Sequence, residues 1–145
     1  MKSLRNLTLA EVKKLASTTA KKYRKKDIVI GLIGPLGAGK TVFVKNFAKE
    51  FGVYKIKSPT FVISSVYPIQ KRLLYHFDFY RLENSQQLAH LGFEETLKAS
   101  DRILLIEWVD KFPSIRDKCD LLLNFEIVNK KLFFFVKIIF IFILI

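Results

Sequence analysis

The chain has one cysteine, one tryptophan, four prolines and no run of about 20 apolar residues. Each scarcity excludes something. Cys119 alone builds neither an intramolecular disulfide framework nor a thiolate metal cluster. The opening Met1-Lys2-Ser3-Leu4-Arg5-Asn6 leads into no apolar segment of the secretory kind, so a cytoplasmic protein is expected. Acids are few: 13 Asp and Glu stand against 25 Lys and Arg, a formal charge of +12. The surplus is mostly lysine, spread over every segment. It reads either as a basic surface for RNA, DNA or an acidic partner, or as the residue usage of A/T-biased coding. Disorder is excluded, because 50% of the 145 residues are hydrophobic. One domain spanning 1–145 is expected, with residues 132–145 as an apolar strand or tail.

Against this background one stretch stands out. Gly34-Pro35-Leu36-Gly37-Ala38-Gly39-Lys40-Thr41 reads G-x-x-x-x-G-K-T, a phosphate-binding P-loop. The run Asp27–Ile33 before it has the pattern of a buried strand. The run after it places Val44, Phe47, Ala48 and Phe51 at helical spacing. Glycines let the backbone wrap close to a polyphosphate, and amides at the helix start point at the anion. Lys40 would reach the β and γ phosphates, and the Thr41 hydroxyl would ligate Mg²⁺.

In chain order, Thr8-Leu9-Ala10-Glu11 has the form of a capping box, opening a helix to about Lys22. The basic run Lys21–Lys26 reads as a solvated helix end. In Ser58-Pro59-Thr60-Phe61, Pro59 prevents regular helix; this hydroxyl-rich loop is either a switch that senses the γ-phosphate or an ordinary turn. Phe61–Tyr67 and Leu73–Tyr80 read as strands joined through Pro68–Arg72, an antiparallel hairpin on an otherwise parallel sheet. On the second strand His76, Asp78 and Tyr80 share a face. His76 by itself reads as a satisfied core histidine. Asp78 reads as a carboxylate placed for Mg²⁺ or water, with a turn cap as the alternative. Ile103-Leu104-Leu105-Ile106-Glu107-Trp108 is a buried strand delivering an acid to its carboxyl end, so Glu107 is a candidate for Mg²⁺ ligation or for orienting water. Trp108 would pack beside a nucleotide or serve as a core or interface indole. Cys119–Val128 and the tail from Leu132 read as two last strands, turning at Asn129-Lys130-Lys131; the tail is too short for a membrane helix, and no membrane association is expected.

The ordered set G-P-L-G-A-G-K-T, S-P-T-F, Y-H-F-D-F-Y-R-L, L-G-F-E-E and I-E-W resembles the TsaE (YjeE) family of bacterial ATPases, over about Leu9 to Leu123. The resemblance implies an α/β, P-loop NTPase-like three-layer sandwich with a mixed, mainly parallel sheet. It implies an ATP-hydrolysing accessory subunit for threonylcarbamoyl modification of adenosine beside the anticodon of tRNAs, working on TsaB and TsaD, with tRNA met through the complex. ATP and Mg²⁺ are the implied cofactors. By matching positions, Gly37–Thr41 would cradle the phosphates and Thr41 with Glu107 would hold Mg²⁺. Thr60 would be a switch residue, Asp78 would support metal or water, and Trp108 would lie near the nucleotide. Contacts from near Thr8 and from Lys130 or Lys131 are implied as well. The chain departs from the pattern at Pro35, where an acid is common, and in its very apolar tail. Two other readings of the P-loop are a small-molecule kinase and a nucleotide-binding interaction module without hydrolysis. The kinase needs a lid of arginines, and the six arginines here (Arg5, Arg24, Arg72, Arg81, Arg102, Arg116) are scattered.

Overall fold

A computed structural model describes the backbone of residues 2–59, 61–130 and 133–142, and the side chains of 6–59 and 61–128. Among the described residues seven strands, numbered in chain order, form one sheet in the order β1-β7-β6-β2-β5-β4-β3. The centre is parallel: β2 (Ile28–Ile33) lies between β5 (Arg102–Glu107) and β6 (Leu121–Lys130), and β4 (Arg72–Asp78) runs parallel to β5. Antiparallel pairs flank it. β3 (Ser64–Ile69) folds back on β4 as the expected hairpin, β7 (Phe133–Phe142) on β6, and β1 (Lys2–Leu7) closes the far edge on β7.

Strands buried on both faces are near-continuously apolar, as β2 and β5 are. Alternate residues feed two cores. Ile28, Ile30, Leu32, Ile103 and Leu105 meet Val12, Ala16 and Ala20 of α1 (Leu9–Lys22) and Phe43, Val44 and Phe47 of α2 (Lys40–Lys49). On the opposite face Val29, Leu104, Ile106 and Phe77 meet Leu88 of α3 (Ser85–His90), Phe93 of α4 (Phe93–Lys98) and Ile115 of α5 (Pro113–Arg116). Helices therefore cover both faces, giving three layers of the P-loop kind. Phe93 stands edge-on to Phe77 and Phe79, with ring centroids 5.0 and 5.5 Å apart, and each such pair adds about 0.5–1.5 kcal/mol beyond its buried area.

Two carboxylates lock the register of the central strands at their amino ends. Asp27 accepts from the amides of Asp101 and Arg102, both at 3.1 Å, and Asp120 accepts from the Val29 amide at 2.8 Å. A one-residue slip would turn every side chain to the other face, so these contacts fix which residues reach the opposite end of the sheet. At that end the carboxyl termini of β2, β5 and β4 deliver the P-loop, Glu107 and Asp78 side by side.

Thr8 caps α1 with the expected reciprocal bonds to Glu11. Some boundaries differ from the sequence expectation. Phe61–Ile63 is turn, and β3 starts only at Ser64; Ile63 takes φ 69°, which an ordinary strand position does not allow. Pro68 lies inside β3, tolerated because β3 is an edge strand whose missing N–H costs no ladder bond. The edge strand β1 had no signal in its sequence.

Candidate active site

The site begins where β2 ends. Gly34 takes φ 141°, and a Cβ there would collide with the carbonyl oxygen of Phe125 on neighbouring β6. Only glycine lets the chain leave the sheet this close to β6. Gly39 then starts α2 in the left-handed region at φ 102°. No side chain caps this helix, and its first turn carries no acid. Its leading amides and the positive end of its dipole are thus kept for an outside anion.

The Lys40 side chain is folded back into the loop. Its Nζ donates to the carbonyls of Gly34 and of Pro35, the latter at 2.9 Å, and sits 4.4 Å from the centre of the Trp108 ring. Burial pushes its pKa below the usual 10.5, and the carboxylates of Glu107, Asp78 and Asp110 oppose that shift. The ammonium is thus held by two carbonyls and an aromatic face, with three carboxylates near enough to favour its charge.

Thr41, next in the chain, donates its hydroxyl to Glu107, at 3.1 Å from Oε1 and 3.2 Å from Oε2. Glu107 closes β5, and parallel pairing sets Asp78 of β4 directly opposite it. Glu107 and Asp78 are only 3% and 4% exposed, beside a Lys40 that is 4% exposed. Asp78 Oδ1 also accepts from the Tyr80 amide at 2.9 Å. It is therefore a turn cap as well as a buried acid at the strand end. His76, fully buried, places Nε2 2.8 Å from Glu107 Oε1. Trp108 turns the chain away at φ 59°, a left-handed conformation unusual for a bulky residue, and its amide donates to Leu32 O at 2.9 Å.

These groups open into a pocket of 310 Å³. Leu36, Gly37, Gly39, Lys40, Thr41 and Val42 form one side; Asp78, Tyr80, Glu107 and Trp108 form the other, with Leu9 and Ser58 at the rim. Tyr80 and Trp108 lie with ring centroids 5.1 Å apart. The pocket thus has an apolar, aromatic part and a polar floor with one cation and two acids. The hydroxyl–carboxylate pair is a hard oxygen donor set. Among the described residues no group of three His, Cys, Asp or Glu could enclose a metal.

Of the residues singled out in the sequence, Leu36, Gly37, Gly39, Lys40, Thr41, Asp78, Glu107 and Trp108 all line the pocket. Gly34 and Pro35 hold Lys40 through their carbonyls, and Ala38 is buried within the loop. Thr60 and Lys131 fall outside the described residues, as does the Lys130 side chain. The exposed Thr8 acts as a helix cap, while its neighbour Leu9 reaches the rim. Leu9, Val42 and Tyr80 line the pocket but were not read as site residues; Tyr80 lies within the Y-H-F-D-F-Y-R-L motif, Leu9 within the capping-box stretch, and Val42 only adjoins the P-loop.

No helix among the described residues is long and apolar enough to cross a membrane. Comparison with known proteins gives a consistent result. A family model described as threonylcarbamoyl adenosine biosynthesis protein TsaE matches residues 7–132. The tRNA threonylcarbamoyladenosine biosynthesis protein TsaE of Haemophilus influenzae is 36% identical over 115 residues, covering 79% of this chain and 72% of that protein. Its namesake in Bacillus subtilis is 40% identical over 105 residues, covering 72% and 64%. The crystal structure of Bacillus subtilis YdiB superposes with a TM-score of 0.66 at 28% identity, over 98% of this chain and 85% of that one. The phosphate loop, its paired acids and this likeness along most of the sequence agree: the chain belongs to the TsaE family of threonylcarbamoyl adenosine biosynthesis proteins.

Proposed function

We propose that the chain is a single cytoplasmic P-loop ATPase unit that binds and hydrolyses ATP with Mg²⁺, serving threonylcarbamoyl modification of adenosine next to the anticodon of tRNAs. It acts on the TsaB–TsaD complex and meets tRNA through that complex. The observation that carries this reading is the hydrogen bond between Thr41 of the loop and Glu107 at the end of β5. It joins a phosphate cradle to a buried acid in one pocket.

In this reading Gly34–Thr41 wrap the polyphosphate. Lys40 exchanges its two carbonyls and the Trp108 face for β and γ phosphate oxygens, a stronger, charge-assisted partnership. Thr41 and Glu107 hold Mg²⁺, which when bound neutralises charge on the phosphate oxygens. Asp78 and Glu107 orient a water whose oxygen bonds to the γ phosphorus while the bond to the bridging oxygen of ADP breaks. The proton of that water leaves with the products, ADP and inorganic phosphate. Trp108 packs beside the nucleotide, and Thr60, two positions after Ser58 in the sequence, is the switch residue. Catalysis is positioning and electrostatic stabilisation, so turnover is slow alone and rises with the partner complex. Among the described residues that line the pocket none is an arginine, which weighs against a phosphoryl-transfer lid.

The test is a reconstituted tRNA-modification assay comparing wild type with Lys40→Ala and Glu107→Ala. Both variants are expected to fail at multiple turnovers. Variants that keep pace with wild type would overturn the reading.

A further inference from the structure

His76 occupies a position where an apolar side chain would cost less. Its ring is fully buried, and Nδ1 has no hydrogen-bond partner among the described residues. A buried polar atom left unpaired carries the full cost of its lost hydration. What the ring gains lies at the other nitrogen, 2.8 Å from Glu107 Oε1. A carboxylate only accepts, so Nε2 is the nitrogen that carries the proton. Register explains the meeting. On paired β4 and β5, Asp78 faces Glu107 and His76 faces Leu105, so His76 sits one same-face step deeper than Asp78. It reaches Glu107 from inside the sheet, while Thr41 reaches it from the loop.

We propose that His76 is the positioning residue of this site. Its Nε2–H clamps Glu107 Oε1, which fixes the carboxylate with both oxygens facing the Thr41 hydroxyl, at 3.1 and 3.2 Å, and, among the described residues, leaves Oε2 without a second donor for the divalent cation to replace. This rests on the ATP–Mg²⁺ reading of the pocket. The role is orientation, not proton transfer. Fixing a free glutamate side chain costs rotamer entropy. Here the clamp fixes it before any ligand arrives. Outer-shell partners of this kind change metal affinity by about 10–100-fold when removed.

Trp108 is the only tryptophan and lines the pocket, so its fluorescence reports occupancy. The experiment titrates Mg²⁺ into protein and ADP, reading the Mg²⁺ concentration at half-maximal Trp108 response, with thermal melts recorded in parallel. His76→Leu removes the donor. His76→Gln extends an amide N–H about as far as Nε2, and His76→Asn stops about where Nδ1 lies. The expected midpoints rise about tenfold or more for His76→Leu and His76→Asn, and stay within about threefold of wild type for His76→Gln. ADP binding without Mg²⁺ stays unchanged in all three. If His76→Leu does not fold, the Gln and Asn pair decides. Equal midpoints for Gln and Asn, or a wild-type midpoint in His76→Leu, would overturn the clamp. A wild type whose ADP response ignores Mg²⁺ would instead overturn the reading of the pocket, and the clamp with it.

Discussion

Replacing Gly34 by alanine tests the seam between the P-loop and the sheet. Two costs combine. The φ of 141° lies where only glycine is at ease, and holding another residue in such a region costs about 1–3 kcal/mol. The new methyl also meets β6, colliding with the Phe125 carbonyl and lying 3.0 Å from Phe125 Cβ. Phe125 is fully buried and paired with Ile138 of β7, so backbone must move. Overpacking of this kind costs about 1–3 kcal/mol. The sum is about 4 kcal/mol, which for a domain of this size lowers Tm by about 8–16 °C. Gly37→Ala is the control. Its φ of 76° is also left-handed, but nothing lies within 4 Å of the added Cβ. Only the conformational cost of about 1–2 kcal/mol remains, about 2–8 °C. Thermal unfolding of both variants by circular dichroism separates the terms. If Gly34→Ala melts with wild type, or no lower than Gly37→Ala, the tight seam against β6 is refuted.

Three further outcomes follow from buried or capping groups. Burial, helped by Asp120 and Asp117, pushes the Cys119 thiol up to about 12, so iodoacetamide at about pH 8 should label the folded protein roughly a thousandfold or more slower than the unfolded one; comparable rates by mass spectrometry would contradict this. Lys40 has a native pKa below its unfolded 10.5. Between those values the unfolded chain binds more protons, so the stability of wild type relative to Lys40→Met should rise with pH and level off above 10.5; parallel pH curves in urea unfolding would refute it. Asn84 caps α3 with reciprocal bonds to Gln87, so Asn84→Ala should cost about 1 kcal/mol in urea unfolding. An unchanged midpoint would show that the cap adds nothing.

The parts of the site that were legible in the sequence are those with local signatures. The P-loop writes its turn chemistry into eight consecutive residues, and an apolar run ending in Glu107 announces a buried strand with an acid at its tip. His76 shows where local reading stops. It reads as a core histidine because its partner is 31 residues away. The contact exists only because a crossover through α3 and α4 brings β5 alongside β4 in parallel, with Asp78 opposite Glu107. The strand β1 was invisible for a related reason. An edge strand of mixed composition gains its ladder from β7, at the other end of the chain. Pro68 misled in the opposite sense, marking a turn while lying in an edge strand. Spacing reports which face a residue takes, but which strands become neighbours is decided by tertiary packing.

Release of inorganic phosphate from ATP and Mg²⁺, measured for wild type and Glu107→Gln with and without the TsaB–TsaD pair, probes this pocket most directly. Glu107→Gln keeps the size of the side chain, and its amide oxygen still accepts from His76, but the negative charge beside Thr41 is gone. Wild type should release phosphate slowly alone and faster with the pair, while Glu107→Gln falls by about a hundredfold or more in both settings. Equal release by the two proteins would contradict ATP hydrolysis organised around Thr41 and Glu107.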